Sequence, residues 1–231
     1  MLGVLAAPDP ERAIAWRVDL PEPRRNLVGD YRVGVWLDDT FCATDREELA
    51  ILRAAVDRLA DAGAMVDDAH PAVSFAEQLD VFRKLVTAAA SPSMPDEVAE
   101  AASGTHRDWL RADEERARLR RVWEEWFETY DAMVCPVMPG PAFPHDQEGD
   151  PFTRTVVIDG SPRPYMSLLS WTGLISVLGL PSTVAPVGRT SAGLPVGVQV
   201  VSAFLRDRES IRLAGILARV AGSGYEPPPG F

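Results

Sequence analysis

Few residues of this chain have the type and spacing that enzymatic chemistry needs. A nucleophilic serine needs a base, and the chain has only three histidines, at positions 70, 106 and 145. No Gly-x-Ser-x-Gly sequence surrounds any serine, so no nucleophile elbow is present. We therefore predict that all three histidines are incidental to catalysis.

A lysine base has a single candidate, because only one of the 23 basic residues is a lysine, Lys84. It stands between Phe82 and Leu85 in a helical pattern. A catalytic lysine needs a desolvated pocket, whereas a surface lysine lays its stem along apolar neighbours and keeps its charge in water. The sequence favours the surface role.

Metal and nucleotide sites are not supported either. The acidic loop from His145 to Asp150 has the ligand types of a hard-metal site, but its spacing does not match an EF-hand loop. Adjacent carboxylates on a helix do not face each other, and no glycine-rich phosphate loop is present. We predict no metal and no other cofactor. The adjacent pairs are Asp38-Asp39, Asp67-Asp68, Glu114-Glu115 and Glu124-Glu125.

Composition restricts the partners and the compartment. The net charge of −11 argues against a nucleic-acid backbone or an anionic membrane as the main partner. No apolar run reaches the length that spans a bilayer, and the first residues lack a basic signal region. Two distant cysteines, Cys42 and Cys135, predict reduced thiols and therefore cytoplasmic residence.

The elements that would position any site centre on residues 165–202, the most apolar long segment. It contains two Gly-Leu-Pro steps, which begin at Gly179 and Gly193. Each step leads into a run rich in β-branched residues, Ser182–Val187 and Val196–Val201, and these runs predict two strands joined by a short polar loop. Because both runs are apolar on both faces, we expect them inside a covered sheet.

The chain before this segment predicts a parallel βαβ unit. Thr44 and Glu47 have the spacing of a capping box at the helix start, and Gly63 has the position of a left-handed residue at its end. Ser74 and Glu77 form a second such box. The predicted elements are strands at 31–37, 64–67, 132–137 and 153–158, and helices at 45–62, 75–90, 96–102, 105–130, 165–173 and from Asp207, which we expect to cap the last helix.

The length of 231 residues is compatible with one α/β domain. Within 1–231 we distinguish a Pro-rich lead-in over 1–30, a helical insertion over 73–130 and a loose tail over 222–231.

In this order, several segments resemble the C-terminal part of the amidase signature hydrolases. They are Leu5–Pro10, Tyr31–Trp36, Tyr130–Val137 and Gly179–Gln199. The resemblance implies a mixed β-sheet covered by helices, which this chain would form incompletely. It also implies that Trp171, Thr172 and Gly173 line a substrate pocket; the alternative for Trp171 is a core tryptophan.

Members of this family hydrolyse an amide C–N bond with a serine, a second serine in a cis peptide and a lysine. Both serines lie in a Gly/Ser-rich stretch that precedes the segments recognised in this chain. This sequence has no Ser-Ser and no Gly-Gly dipeptide, and Lys84 follows the first strand instead of preceding it. The resemblance therefore predicts no catalytic residue here and no activity of the chain alone. Its partners would be a small amide substrate, and a missing N-terminal half or a second copy.

The alternative function is a non-catalytic binding or complementing subunit that docks on a separate N-terminal half.

Overall fold

The strands form one five-stranded and one two-stranded sheet in the computed structural model, which describes residues 2–146, 148–150 and 152–224. The strands are β1 (Arg32–Val35), β2 (Met65–Asp67), β3 (Ala132–Pro136), β4 (Thr155–Ile158), β5 (Ser161–Pro164), β6 (Ser182–Arg189) and β7 (Pro195–Val201). The order of the larger sheet is β2-β1-β3-β7-β6.

The larger sheet is mixed. Strands β2, β1 and β3 run parallel, whereas β7 is antiparallel to both β3 and β6. The predicted α/β class with a mixed sheet and helices is confirmed. The helices are α1 (Leu2–Leu5), α2 (Arg46–Asp61), α3 (Phe75–Ala90), α4 (Asp96–Ser103), α5 (His106–Trp126), α6 (Ser170–Ser176) and α7 (Asp207–Val220).

Two layers of helices cover the two faces of the sheet, because side chains alternate along each strand. Val33 and Val35 of β1 pack in one core with α2 and α7. Trp36, directly after β1, points to the other core, which α3, α5 and α6 complete. On that second face, a Cβ at Gly34 would lie 2.3 Å from the Trp126 ring, so only glycine lets α5 approach this closely.

Helix α2 begins one residue later than the capping box predicts. Asp45 is its cap, and its carboxylate accepts the backbone N–H groups of Glu47 and Glu48. The Thr44 hydroxyl instead donates to the carbonyl of Leu37 at 2.8 Å and closes the loop after β1. The Thr44 prediction was therefore wrong, because that hydroxyl bonds a buried carbonyl that precedes the helix. Gly63 has a φ of 108°, as its place after the helix predicts.

Helix α3 starts as predicted, with the Ser74 hydroxyl accepting the Glu77 N–H. One face of this helix is buried and packs against α5, whereas Val86 on the other side is 43% exposed. The buried face consists of Phe75, Gln78, Leu79, Val81 and Leu85. In α5, Leu119 and Trp123 are buried, while Trp109 is exposed.

The region before β6 differs most from its prediction. Residues 165–173 divide into a 3-10 turn over Tyr165–Leu169 and helix α6. Strand β4 pairs with an unpredicted strand, β5, through a turn at Asp159 and Gly160, which both have positive φ. Helix α7 begins at Asp207, which is its first residue and not its cap, and Arg206 makes no side-chain capping bond.

The pair β6–β7 was expected to be enclosed. Strand β7 is enclosed between β3 and β6, but β6 is the last strand of its sheet. Val184 on β6 is 54% exposed. The expectation was therefore wrong for β6. An apolar sequence indicates that a strand belongs to a covered sheet, but it does not specify whether that strand lies in the middle of the sheet or at its edge.

The lead-in is fixed to the sheet by charged contacts. The side chain of Arg25 donates to Asp131 at 3.0 Å, and the backbone of Arg24 donates to Glu209 at 2.7 Å. Trp16, in contrast, is largely exposed. The predicted loose tail lies outside the described residues from 225 onward.

Candidate functional site

Five rings form a continuous aromatic cluster between the sheet and α6: Trp36, Phe41, His70, Phe75 and Trp171. The Trp171 ring meets those of Phe75 and Trp36 edge to face, at centroid distances of 4.9 and 5.6 Å. His70 stacks on Trp36 at 4.1 Å, and Phe41 lies 5.8 Å from Phe75. His70 and Phe41 are exposed, so the cluster runs from the core to the surface.

Trp171 occupies the buried end of this cluster and has no exposed surface. Its indole Nε1–H has no hydrogen-bond partner among the described residues, and the same holds for the hydroxyl of Ser167 one turn earlier. Buried donors are usually paired. The side chain therefore combines an apolar ring with one polar group that remains available to an acceptor.

Thr172 and Gly173 follow on α6 and face different surroundings. Thr172 is half-buried, and its hydroxyl donates to the carbonyl of Leu169 at 3.3 Å. Gly173 is buried, and a Cβ there would lie 2.7 Å from the ring of Phe82 on α3. The three residues thus share one short helix, on which Trp171 and Gly173 are buried and Thr172 is half-buried.

Gln78 positions α6 through two hydrogen bonds. Its side-chain nitrogen donates to the carbonyl of Leu174 at 2.7 Å, and its side-chain oxygen accepts the indole N–H of Trp123 at 3.1 Å. All three residues are buried. A single side chain on α3 therefore ties α5 to α6, which sequence reasoning missed because a glutamine within an apolar stripe gives no specific signal.

The candidate base Lys84 does not face the cluster. Its ammonium pairs with Asp80 at 2.7 Å, one turn earlier on α3, and its side chain is 62% exposed. Such an exposed i,i+4 pair is a surface feature. The structure thus gives Lys84 no desolvated surroundings.

The histidines are separated from one another in the fold. The Nδ1 atom of His70 lies at hydrogen-bond distance, 2.9 Å, from the carbonyl oxygen of Pro71. The ring of His106 stacks on that of Trp109 on α5. His145 is exposed. Within the described ranges, no serine hydroxyl is hydrogen-bonded to a histidine or lysine nitrogen.

A buried carboxylate at the start of α2 also escaped sequence reasoning. Glu48 is only 4% exposed, and its Oε2 has no hydrogen-bond partner in the described chain. Burial, and secondarily the charge of Asp45, raises the pKa of Glu48 to about 7. The sequence did contain a signal for this burial. Glu48 lies four residues before Leu52, and residues four apart on a helix share a face.

The two cysteines are free and buried. Burial raises the pKa of the Cys135 thiol, and it also raises the pKa of Cys42. Both thiols therefore stay protonated and unreactive at neutral pH.

The described residues contain no group of three or more His, Cys, Asp or Glu side chains placed to hold a metal ion. No helix in the described ranges is long and apolar enough to cross a membrane.

Comparison with known proteins identifies related sequences and folds. The family profile described as Amidase matches residues 94–211. A glutamyl-tRNA(Gln) amidotransferase subunit from Acaryochloris marina is 23% identical over 257 residues, which cover 93% of this chain and 51% of that protein.

Two solved structures share the fold. A glutamyl-tRNA(Gln) amidotransferase subunit from Thermotoga maritima superposes with a TM-score of 0.72 at 19% identity, over 96% of this chain and 49% of that chain. The crystal structure of an amidase gives a TM-score of 0.69 at 24% identity, over 87% and 47%. The chain therefore spans about half the length of these relatives.

Proposed function

Because this chain belongs to the amidase signature family, we propose that it is the C-terminal part of an amide C–N hydrolase and is inactive alone. One observation carries the proposal: the family match over residues 94–211 occurs in a sequence with one lysine and no Ser-Ser dipeptide. The serine, the cis-serine and the lysine that cleave the amide would be supplied by residues outside this sequence. The exposed Asp80–Lys84 pair supports this assignment.

In this proposal the chain contributes scaffold and one wall of the substrate pocket. Trp171, Thr172 and Gly173 remain our candidates for that wall, and the substrate is a small amide. The unpaired indole N–H of Trp171 supports the choice, since a buried donor gains about 1–3 kcal/mol by finding an acceptor. The neighbouring rings give the wall an apolar surface that suits an acyl or aryl group.

The second candidate function is a complementing subunit that docks on a separate N-terminal half. Two observations favour a partner: the chain spans about half of its relatives, and β6 is an unpartnered edge strand. The choice between one longer polypeptide and two polypeptides does not alter the chemistry. A cytoplasmic location accords with two free, buried thiols.

Hydrolysis assays of the purified chain on aryl and aliphatic amides test the proposal. We expect no hydrolysis above the buffer rate, and no difference between the chain and its Lys84→Ala variant. Robust hydrolysis that a serine-directed phosphonyl fluoride abolishes would contradict the account of the absent catalytic set.

A further inference from the structure

A groove lies between residues 26–28 of the lead-in and helix α7. It stands on the face of the sheet that α2 and α7 cover, whereas α6 lies on the other face. Its volume is 530 Å³, and sites for small molecules are usually about 300–1,000 Å³. The apolar residues that line the groove are Leu27, Val28, Ile211, Ile216 and Val220.

Part of this apolar lining is open to solvent. Leu27 is 69% exposed and Ile211 is 46% exposed, whereas Ile216 is buried. Gly215, which also lines the groove, has no side chain to fill the space along α7. The groove can therefore cover a hydrocarbon chain or an aromatic ring, and the apolar surface that leaves water would stabilise the complex.

Two arginines line the same groove. The Nη2 atom of Arg212 donates to the carbonyl of Asn26 at 2.8 Å, which fixes this guanidinium beside the lead-in. Arg219 has no hydrogen-bond or ion-pair partner among the described residues. Its Nη1 lies 3.6 Å from the position that a Cβ at Gly215 would take, so the guanidinium folds back along α7. Most of the N–H donors of these two side chains are thus available to a ligand.

The groove is positively charged although the chain carries a net charge of −11. Neither Arg212 nor Arg219 forms an ion pair within the described ranges, and the described residues that line the groove include no Asp or Glu. The cleft between α3 and α5, in contrast, is lined by four acidic and three basic residues. The ligand charge that complements this groove is therefore negative.

The two kinds of lining specify the chemical class of the ligand. A guanidinium can form two parallel hydrogen bonds with one carboxylate, and both bonds are strengthened by charge. A bare inorganic anion would satisfy the arginines but would leave the apolar lining in water. A ligand that combines a carboxylate with an apolar chain or ring satisfies both.

We propose that this groove binds an organic carboxylate, whose charged group bonds Arg219 beside Arg212 and whose apolar group covers Leu27 and Ile211. The site goes beyond the proposed function and does not depend on it. A second copy of this chain is a poorer occupant, because two chains that each carry a net charge of −11 repel each other.

An NMR titration of the whole chain with octanoate tests the proposal. We expect the methyl signals of Leu27, Ile211 and Val220 to shift and saturate, with a Kd of about 1 mM or lower for a ligand of this size. From butanoate through hexanoate to octanoate, affinity should rise by up to about fourfold for each methylene group that leaves water. Octan-1-ol has the same chain without the charge and should bind at least about tenfold more weakly.

Substitution of Arg219 tests the role of the guanidinium. We expect Arg219→Gln to weaken octanoate binding about tenfold or more and to leave octan-1-ol binding unchanged. Arg219→Lys keeps the charge without the planar fork and should recover part of the affinity. Arg121→Gln, at an exposed position of α5 on the other face of the sheet, removes one positive charge and should bind octanoate like the parent chain. All three variants should unfold cooperatively like the parent.

Four results would overturn the site. The first is octanoate that leaves the three methyl signals unshifted at about ten times the expected Kd. The second is octan-1-ol or inorganic phosphate that shifts these signals as strongly as octanoate at the same concentration. The third is Arg219→Gln that binds octanoate as tightly as the parent chain. The fourth is a shift of the same signals with protein concentration in the absence of ligand, which would assign the groove to a second copy.

Discussion

Gly173 of α6 lies so close to Phe82 of α3 that a Cβ at position 173 would be 2.7 Å from the aromatic ring. Both the ring and the backbone of α6 are held by the surrounding core, where α3, α5 and α6 pack on one face of the sheet. The position of Trp171, two residues earlier, therefore depends on a side chain of the predicted helical insertion.

We expect Gly173→Ala to lower the free energy of unfolding by about 1–3 kcal/mol, because the added methyl group overpacks this contact. In a Phe82→Ala background the same change should cost at least about 0.5 kcal/mol less, since the obstructing ring is gone. Urea unfolding monitored by tryptophan fluorescence measures both values.

Gly215→Ala on α7 is the matched control. The nearest atom to its added Cβ would be a terminal nitrogen of Arg219 at 3.6 Å, so the methyl group fits and helix propensity should make the variant slightly more stable. Equal costs for Gly173→Ala in the two backgrounds would rule out the steric explanation.

Glu48 should make stability depend on pH. Its folded-state pKa of about 7 lies above the value of about 4.3 expected in the unfolded chain. The native state thus binds more protons between these values, and this residue's contribution to stability falls as pH rises through that window. We expect Glu48→Gln to be more stable than the parent chain by about 1–3 kcal/mol at pH 8 and little changed at pH 4.

Asp57→Asn, on the exposed face of the same helix, controls for the loss of one negative charge. Thermal or urea unfolding from pH 4 to pH 8 provides the comparison. If the free energy of unfolding of Glu48→Gln changed with pH as steeply as that of the parent chain, the assignment of a buried, unpaired carboxylate would be refuted.

Gln78 should be critical for the packing of α5 against α6. Gln78→Leu preserves the volume but leaves the Trp123 N–H and the Leu174 carbonyl unpaired, at about 1–3 kcal/mol for each buried group. Replacing Trp123 with Phe in the same background removes one of these groups. The penalty of Gln78→Leu should therefore be smaller in Trp123→Phe, as a double-mutant cycle in urea would show; additive penalties would contradict the hydrogen bond.

The thiols should be unreactive in the folded chain. Burial raises the pKa of Cys42 and of Cys135, and only the thiolate is nucleophilic. We expect Ellman's reagent to label neither cysteine at pH 7 in buffer and both in concentrated urea. Rapid labelling of either thiol in buffer would show that its surroundings open far more readily than the structure indicates.

The fold was predictable where local patterns decide it. The parallel pairing of β1 with β2 was predictable from three local signals: the alternating residues of β1, the capped helix after it, and Gly63 at the end of that helix. Each of these signals acts within a few residues. The edge position of β6 was not predictable in this way. An apolar strand such as Val196–Val201 and its neighbour look alike in sequence, and only the assembled sheet determines which one lacks a partner.

The candidate site was predictable only through its resemblance to a family. Trp171, Thr172 and Gly173 were selected on that basis, and their role stays a proposal. Glu48 and Gln78 were not found, because a polar residue on a buried helix face becomes significant only when its partners are known. Neither residue type carries that information in the sequence.

Amide hydrolysis by the isolated chain and by its fusion to the N-terminal part of the Acaryochloris marina relative tests the central claim most directly. The account predicts no hydrolysis by the chain alone, and hydrolysis by the fusion that disappears when the serine nucleophile of the added half is changed to alanine. Serine-dependent hydrolysis by the isolated chain would contradict it.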